Sequence, residues 1–127
     1  MTTRITGNVA VESSLYYFYV DYTYVISIRL NIDQFFLMHT FVTIGSTRFD
    51  LLIKEILSPH TLEALKSRRC TTLTVQCGNS AFEQASLIAK GETVNLSIEG
   101  IQVELWKFKP ALIKEYEKAD LVISHAG

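Results

Sequence analysis

Three short apolar runs, His39–Ile44 (HTFVTI), Thr71–Cys77 (TTLTVQC) and Leu121–Ser124 (LVIS), are each followed by a glycine-containing loop, and this pattern constrains the fold most. A nearly continuous apolar run of that length marks a strand buried on both faces, the usual state of a parallel strand. Helical spacing separates the runs. Phe49, Leu52, Ile53 and Ile56 recur at that spacing, with Asp50 near the start, where its charge suits the helix dipole. Pro59 interrupts, and a second helical stretch, 61–69, presents Leu62 and Leu65. Residues 81–89 also read as helical. Residues 94–98 and 103–108 read as strands around a turn at Glu99-Gly100, and Pro110 is placed to open a helix running to Ala119. Strands alternating with helices predict an α/β, Rossmann-like domain with a largely parallel sheet.

Composition narrows the chemistry. The 127 residues carry 12 basic and 13 acidic side chains, a net charge of −1. Such a balance supplies no clustered basic face for a nucleic-acid backbone, so no nucleic-acid partner is expected. Lys66, Arg68 and Arg69 form the densest basic spot and read as a solvated helix end. Cys70 and Cys77 lie too far apart along an extended segment to be bridged, and no His/Cys cluster has zinc spacing. Two reduced, buried thiols are expected, with no metal and no cofactor. Asn95-Leu96-Ser97 matches a glycosylation acceptor, but no cleavable signal is visible ahead of it.

The first 37 residues differ from the rest. They hold no lysine, and five of the six tyrosines fall within Tyr16–Tyr24. The stretch 15–30 is apolar and aromatic, but Asp21 and Arg29 weigh against a membrane-spanning helix. Its residue types favour strand. It reads either as an added hairpin or edge strand, or as a poorly specified leader. Residues 1–37 are therefore taken as an atypical leader, and 38–127 as the α/β domain, with Met38 the expected natural start.

In open parallel sheets ligands bind beyond the carboxyl ends of the strands, where strand order reverses. That directs attention to Gly45-Ser46-Thr47, Gly78-Asn79-Ser80 and Ser124-His125-Ala126-Gly127. Glycine lets backbone approach a ligand, and hydroxyls add hydrogen bonds without charge, a combination suited to a diphosphate. Each loop taken alone is equally ordinary turn chemistry. Neither GxxxxGK[ST] nor GxGxxG occurs, so neither a P-loop nucleotidase nor a dinucleotide oxidoreductase is supported. Trp106, Phe108 and Leu105 suit either a nucleobase wall or the core, and the core is the favoured reading.

Three segments carry a family resemblance. Phe41-Val42-Thr43-Ile44-Gly45-Ser46-Thr47-Arg48-Phe49-Asp50-Leu51-Leu52-Ile53 is similar to the opening of the catalytic subunit of the UDP-N-acetylglucosamine transferase of dolichol-linked oligosaccharide synthesis. Val75-Gln76-Cys77-Gly78 resembles its second strand and Q-x-G loop, and residues 118–127 (KADLVISHAG) resemble its A-D-L-V-I-S-H-A-G segment. The resemblance covers 38–127. It implies the donor-binding half of a GT-B glycosyltransferase of the family-28 type, moving GlcNAc from UDP-GlcNAc onto GlcNAc-diphosphodolichol with inversion. It also implies work at the cytoplasmic face of the endoplasmic reticulum, with recruitment from the cytosol by a membrane-anchored, acceptor-binding subunit.

Carried over residue by residue, the resemblance makes Gly45, Ser46 and Thr47 face the diphosphate or acceptor cleft. Gly78 lets the second loop approach the nucleotide, and Ser124, His125, Ala126 and Gly127 line the donor site. An inverting transfer needs a base for the acceptor hydroxyl and stabilisation of the departing UDP. His125 is the candidate base, the alternative being that it contacts donor or packs the loop while the partner carries the base. His39 and His60 read as structural. Family members continue past the H-A-G turn, so the resemblance implies a C-terminally truncated form. Its last strand is expected to expose a sheet face, and the isolated chain is expected to be inactive. Two other readings stand beside the enzyme subunit: a non-catalytic interaction protein, and a generic nucleotide-binding module.

Overall fold

The computed structural model describes residues 5–12, 15–20, 24–30 and 37–125, with side chains from 37 to 124. The repeated strand-and-loop pattern becomes β4 (Met38–Thr43), β5 (Cys70–Gln76), β7 (Ile101–Trp106) and β8 (Leu121–His125), joined by α1 (Asp50–Ile56), α2 (Pro59–Ser67) and α3 (Ile113–Lys118). β6 (Val94–Ile98) forms a hairpin with β7, and residues of the leader form β1 (Ile5–Glu12), β2 (Leu15–Val20) and β3 (Tyr24–Leu30). All eight strands share one sheet in the order β1-β2-β3-β8-β4-β5-β7-β6. β8, β4, β5 and β7 run parallel. β6 is antiparallel at one edge, and β3 joins β8 antiparallel from the other side. The domain is thus α/β with a parallel centre, as the alternation of runs predicts.

The two faces are covered differently. Val42, Ile44, Leu73, Val75, Val103, Leu105, Leu121 and Ile123 pack with Leu52, Ile53 and Ile56 of α1 and Leu62 and Leu65 of α2. These helices bury their apolar stripes there, and that burial is the main favourable term in folding. On the opposite face Tyr116 of α3 stands edge-on to Phe41 at 5.3 Å, and Phe41 stacks with Trp106 at 6.2 Å. Glu115, at the base of α3, is buried but paired with Lys109 at 3.4 Å and Lys118 at 3.8 Å. Asp120 ties the start of β8 to β4: its carboxylate accepts from the His39 N–H at 2.9 Å, and its own N–H donates to the His39 carbonyl at 2.8 Å.

Several boundaries differ from the sequence reading. Pro59 opens α2 instead of interrupting it, because Ser58 caps the helix by accepting from the Thr61 N–H. α3 starts at Ile113, not at Pro110. Beyond β7 the Lys107 carbonyl is held by the Gly78 N–H and the Gln76 side chain, and the chain bends at Lys107 and Pro110 before the helix begins. Residues 81–89 yield only one 3-10 turn, Glu83–Leu87, with Ile88 the single buried apolar side chain to anchor it. β8 exposes no apolar face: Leu121, Val122 and Ile123 are only 3, 5 and 6% accessible. The predicted turn at Glu99-Gly100 is present, with φ of 51° and 81°. Positive φ at both positions is the requirement of the type I′ turn that closes a tight hairpin.

Candidate active site

β4 lies between β5 and β8, so strand order reverses there. The register places Thr43 opposite both Gln76 of β5 and Ser124 of β8, which brings the carboxyl ends of three parallel strands level. One residue further on come Ile44 and His125, and then the Gly45 loop. The three segments singled out in the sequence therefore leave the same edge of the sheet.

The first loop is open to solvent: Gly45, Ser46 and Thr47 are all exposed. Gly45 has φ +70°, and a β-carbon added there meets nothing within 4 Å. Its lack of a side chain serves the backbone turn and leaves free space in front of it. Thr47 Oγ1 donates to the Ile44 carbonyl at 3.0 Å, closing the turn, and Ser46 is exposed.

The second loop is welded to the first. Gly78 is buried at φ +54°, and a β-carbon there meets the Thr47 carbonyl oxygen at 3.0 Å and Ile44 Cδ1 at 3.2 Å. The close approach that this glycine permits is to the first loop's backbone. Ser80 Oγ accepts from the Phe49 N–H at 2.9 Å, and Asp50 Oδ1 accepts from the Ala81 N–H at 2.7 Å. Arg48 binds the same carboxylate through two bonds, at 2.8 and 2.7 Å. That guanidinium, followed by the Ala81 N–H, lowers the Asp50 carboxyl to about 2.

Beneath the first loop sits Gln76, 2% accessible. Its Oε1 accepts from Thr43 Oγ1 at 2.6 Å, Ile44 N at 3.1 Å and Gly45 N at 2.9 Å. Its Nε2 donates to the Gly45 carbonyl at 2.9 Å and the Lys107 carbonyl at 2.8 Å. Sequence reasoning passed over Gln76 and Asp50 as site residues, and named Ser80 only as part of the second loop. Gln76 and Asp50 stand inside the quoted motifs, yet what they bind lies some thirty residues away and is invisible along the chain.

Of the third segment, Ser124 is half-buried beside Thr43, and His125 closes β8. The His125 side chain and residues Ala126 and Gly127 lie outside the described residues. The other histidines are elsewhere. His60 is exposed on α2. His39 stands near the amino end of β4 with Nδ1 2.6 Å from Thr72 Oγ1, and burial lowers its pKa against the pull of Asp120, Glu115 and Glu104. Cys70 and Cys77 are free and buried, and burial pushes the Cys77 thiol up to about 11, so no thiolate nucleophile flanks the loops. Trp106 and Leu105 belong to the core, at 2 and 0% accessible, while Phe108 is half exposed against Gly78. Among the described residues no group of three His, Cys, Asp or Glu is placed to hold a metal, and no helix is long and apolar enough to cross a membrane.

Residues 39–127, which contain all three loops, match the C-terminal domain of glycosyltransferase family 28. The chain belongs to that family. This family-28 domain is also similar to two curated relatives, both called UDP-N-acetylglucosamine transferase subunit ALG13. Identity is 33% to the human protein and 30% to the mouse protein, each over 87 residues. The alignments cover 68% of this chain but only 7% of either relative. No solved structure matches it significantly. Membership makes residues 39–127 a glycosyltransferase family-28 domain of α/β, Rossmann-like fold, consistent with the parallel centre of its sheet.

Proposed function

We propose that this chain supplies the UDP-N-acetylglucosamine-binding half of a two-part, inverting N-acetylglucosaminyltransferase that extends GlcNAc-diphosphodolichol. The reading is carried by one observation: the family-28 match spans three strand-end loops that leave one sheet edge at the strand-order reversal. There the exposed Gly45-Ser46-Thr47 loop offers backbone, the exposed Ser46 and open space at Gly45, the surface a diphosphate needs. Ser124 and His125 lie beside it at the end of the adjacent strand β8. Loss of UDP is assisted by backbone and hydroxyl donors of the first loop, and the acceptor's hydroxyl loses its proton to a base beside the sugar. The partner on this reading is a membrane-anchored subunit that binds the dolichol-linked acceptor and recruits the chain to the cytoplasmic face of the endoplasmic reticulum.

The test is a titration of isotope-labelled chain with UDP-GlcNAc, followed by amide chemical shifts. Shifts should move at Ser46, Thr47, Ser124 and His125 and stay fixed at the β6–β7 turn. Absence of any saturable change, with or without membranes carrying the partner, refutes the reading. In the reconstituted pair, His125→Ala separates the two roles for that histidine: a loss of turnover with UDP-GlcNAc affinity retained makes it the base, and a loss of affinity makes it a donor contact.

A further inference from the structure

We infer that Gln76 is a positioning residue that sets the shape of the donor loop through the Gly45 peptide. The inference rests on the function proposed above and adds a residue to it. Gln76 is buried, so its amide must be satisfied within the protein. All of its five bonds go to the ends of neighbouring strands. The carbonyl oxygen takes Ile44 N, Gly45 N and Thr43 Oγ1, and the amide nitrogen takes the carbonyls of Gly45 and Lys107. Both polar groups of the Gly45 residue are thus held by one side chain, as a neighbouring strand would hold them.

That arrangement has a definite consequence. β4 proper ends at Thr43, and Gly45 turns away at φ +70°. Past that point the sheet ladder no longer fixes the chain, and the Gln76 amide takes over. Because the Gly45 N–H is spent on Gln76 and points into the protein, it is not a donor to ligand; the residues that follow, Ser46 and Thr47, are exposed and carry the next backbone N–H groups of the loop. Gln76 also links this loop to Lys107, beyond β7, so loop geometry is shared across three strands. Few side chains serve here. A glutamate accepts but cannot donate when ionised, and an asparagine is one carbon short.

The experiment compares wild type, Gln76→Glu, Gln76→Leu and the milder Thr43→Val, all in the full chain, by amide hydrogen exchange and by the UDP-GlcNAc titration. Exchange at Ile44 and Gly45 should accelerate at least about tenfold in both Gln76 variants, while Val75 and Leu105 stay protected. UDP-GlcNAc affinity should fall about tenfold or more in both, with the melting transition still cooperative. In Gln76→Glu, relative to wild type, affinity should partly recover as pH falls and the acid regains a donor; a merely destabilised fold gives no such recovery. Thr43→Val keeps the side chain's shape and removes one of the Gln76 bonds together with the longer 3.3 Å bond from the Gly45 N–H to the same hydroxyl, so it should give a smaller change in the same direction even where Gln76→Leu fails to fold. Unchanged exchange at Gly45, or accelerated exchange with unchanged affinity, overturns the role of Gln76 and leaves the functional reading intact. Failure of wild type to bind UDP-GlcNAc overturns that reading and the positioning role together.

Discussion

Gly78 and Thr47 approach so closely that a β-carbon on the glycine would stand 3.0 Å from the threonine's carbonyl oxygen. The contact is backbone against backbone site, so neither side can swing away, and the two strand-end loops behave as one body. The φ of +54° at Gly78 adds a second penalty for any side chain. Gly78→Ala should therefore destabilise the chain by about 2 kcal/mol or more, combining a left-handed residue with a forced shift. Thermal denaturation measures this. A melting temperature equal to wild type would mean that the loops are not packed together in solution.

Gly45 and Gly91 form a matched pair. Their φ angles are +70° and +78°, and an added β-carbon meets nothing within 4 Å at either position. Alanine at either site should thus carry the same conformational penalty, about 1 kcal/mol. Only Gly45 lies in the proposed donor loop. We expect Gly45→Ala to weaken UDP-GlcNAc binding about tenfold, equivalent to ~1.4 kcal/mol, and Gly91→Ala to leave it unchanged, at equal melting temperatures. Equal affinities of the two variants would remove the first loop from the ligand site.

Asp50 gives the loops a pH dependence whose sign is fixed. Its folded carboxyl is lowered to about 2, chiefly by the Arg48 hydrogen bonds and then by the Ala81 N–H. A depressed carboxyl stabilises fully above its ordinary value near 3.8 and loses that contribution as pH falls through about 2. The Asp50 carboxyl resonance should therefore titrate near 2, and Asp50→Asn should flatten the acid limb of stability between those values. An Asp50 titration at the ordinary value would show the Arg48–Asp50–Ala81 link to be absent in water.

The leader strand β3 pairs with β8 over Ile26–His125 to Leu30–Leu121, so removing residues 1–37 bares the outer edge of β8. Among the described side chains, residues beyond 37 already form apolar clusters on both faces of the parallel centre, and a cooperative transition should survive. An unpaired edge next to buried Leu121 and Ile123 invites pairing with another chain, so the shortened protein should self-associate with rising concentration. Sedimentation velocity on both lengths measures it. A shortened chain that stays monomeric and melts unchanged would show that β3 does not cover β8.

From the sequence alone come the kinds of element from β4 to β5, the β6–β7 hairpin, α3 and β8, and the family; residues 81–89, read as helical, form only a 3-10 turn, and the sequence leaves residues 1–37 open. Continuous apolar runs identify β4, β5 and β8, because a strand buried on both faces needs apolar residues at successive positions. Helical spacing identifies α1 and the core face of α2 by the residues that prove buried, Leu52, Ile53, Ile56, Leu62 and Leu65. Glycine marks the turns at 45, 78, 91 and 100, all at positive φ. These signals are local: each residue reports its own burial or backbone conformation.

Only the tertiary structure decided which of those glycines faces open space and which is pressed against protein. Gly45 and Gly78 look alike in the sequence, each after a buried run and before a hydroxyl. One has nothing in front of it, and the other meets the Thr47 carbonyl. The fold likewise set the start of α3 beyond the bends at Lys107 and Pro110, and gave Gln76 its partners on β4 and beyond β7. The physical reason is common to all three. A residue's place in a site depends on what packs against it from thirty residues away, and no periodicity along the chain carries that information.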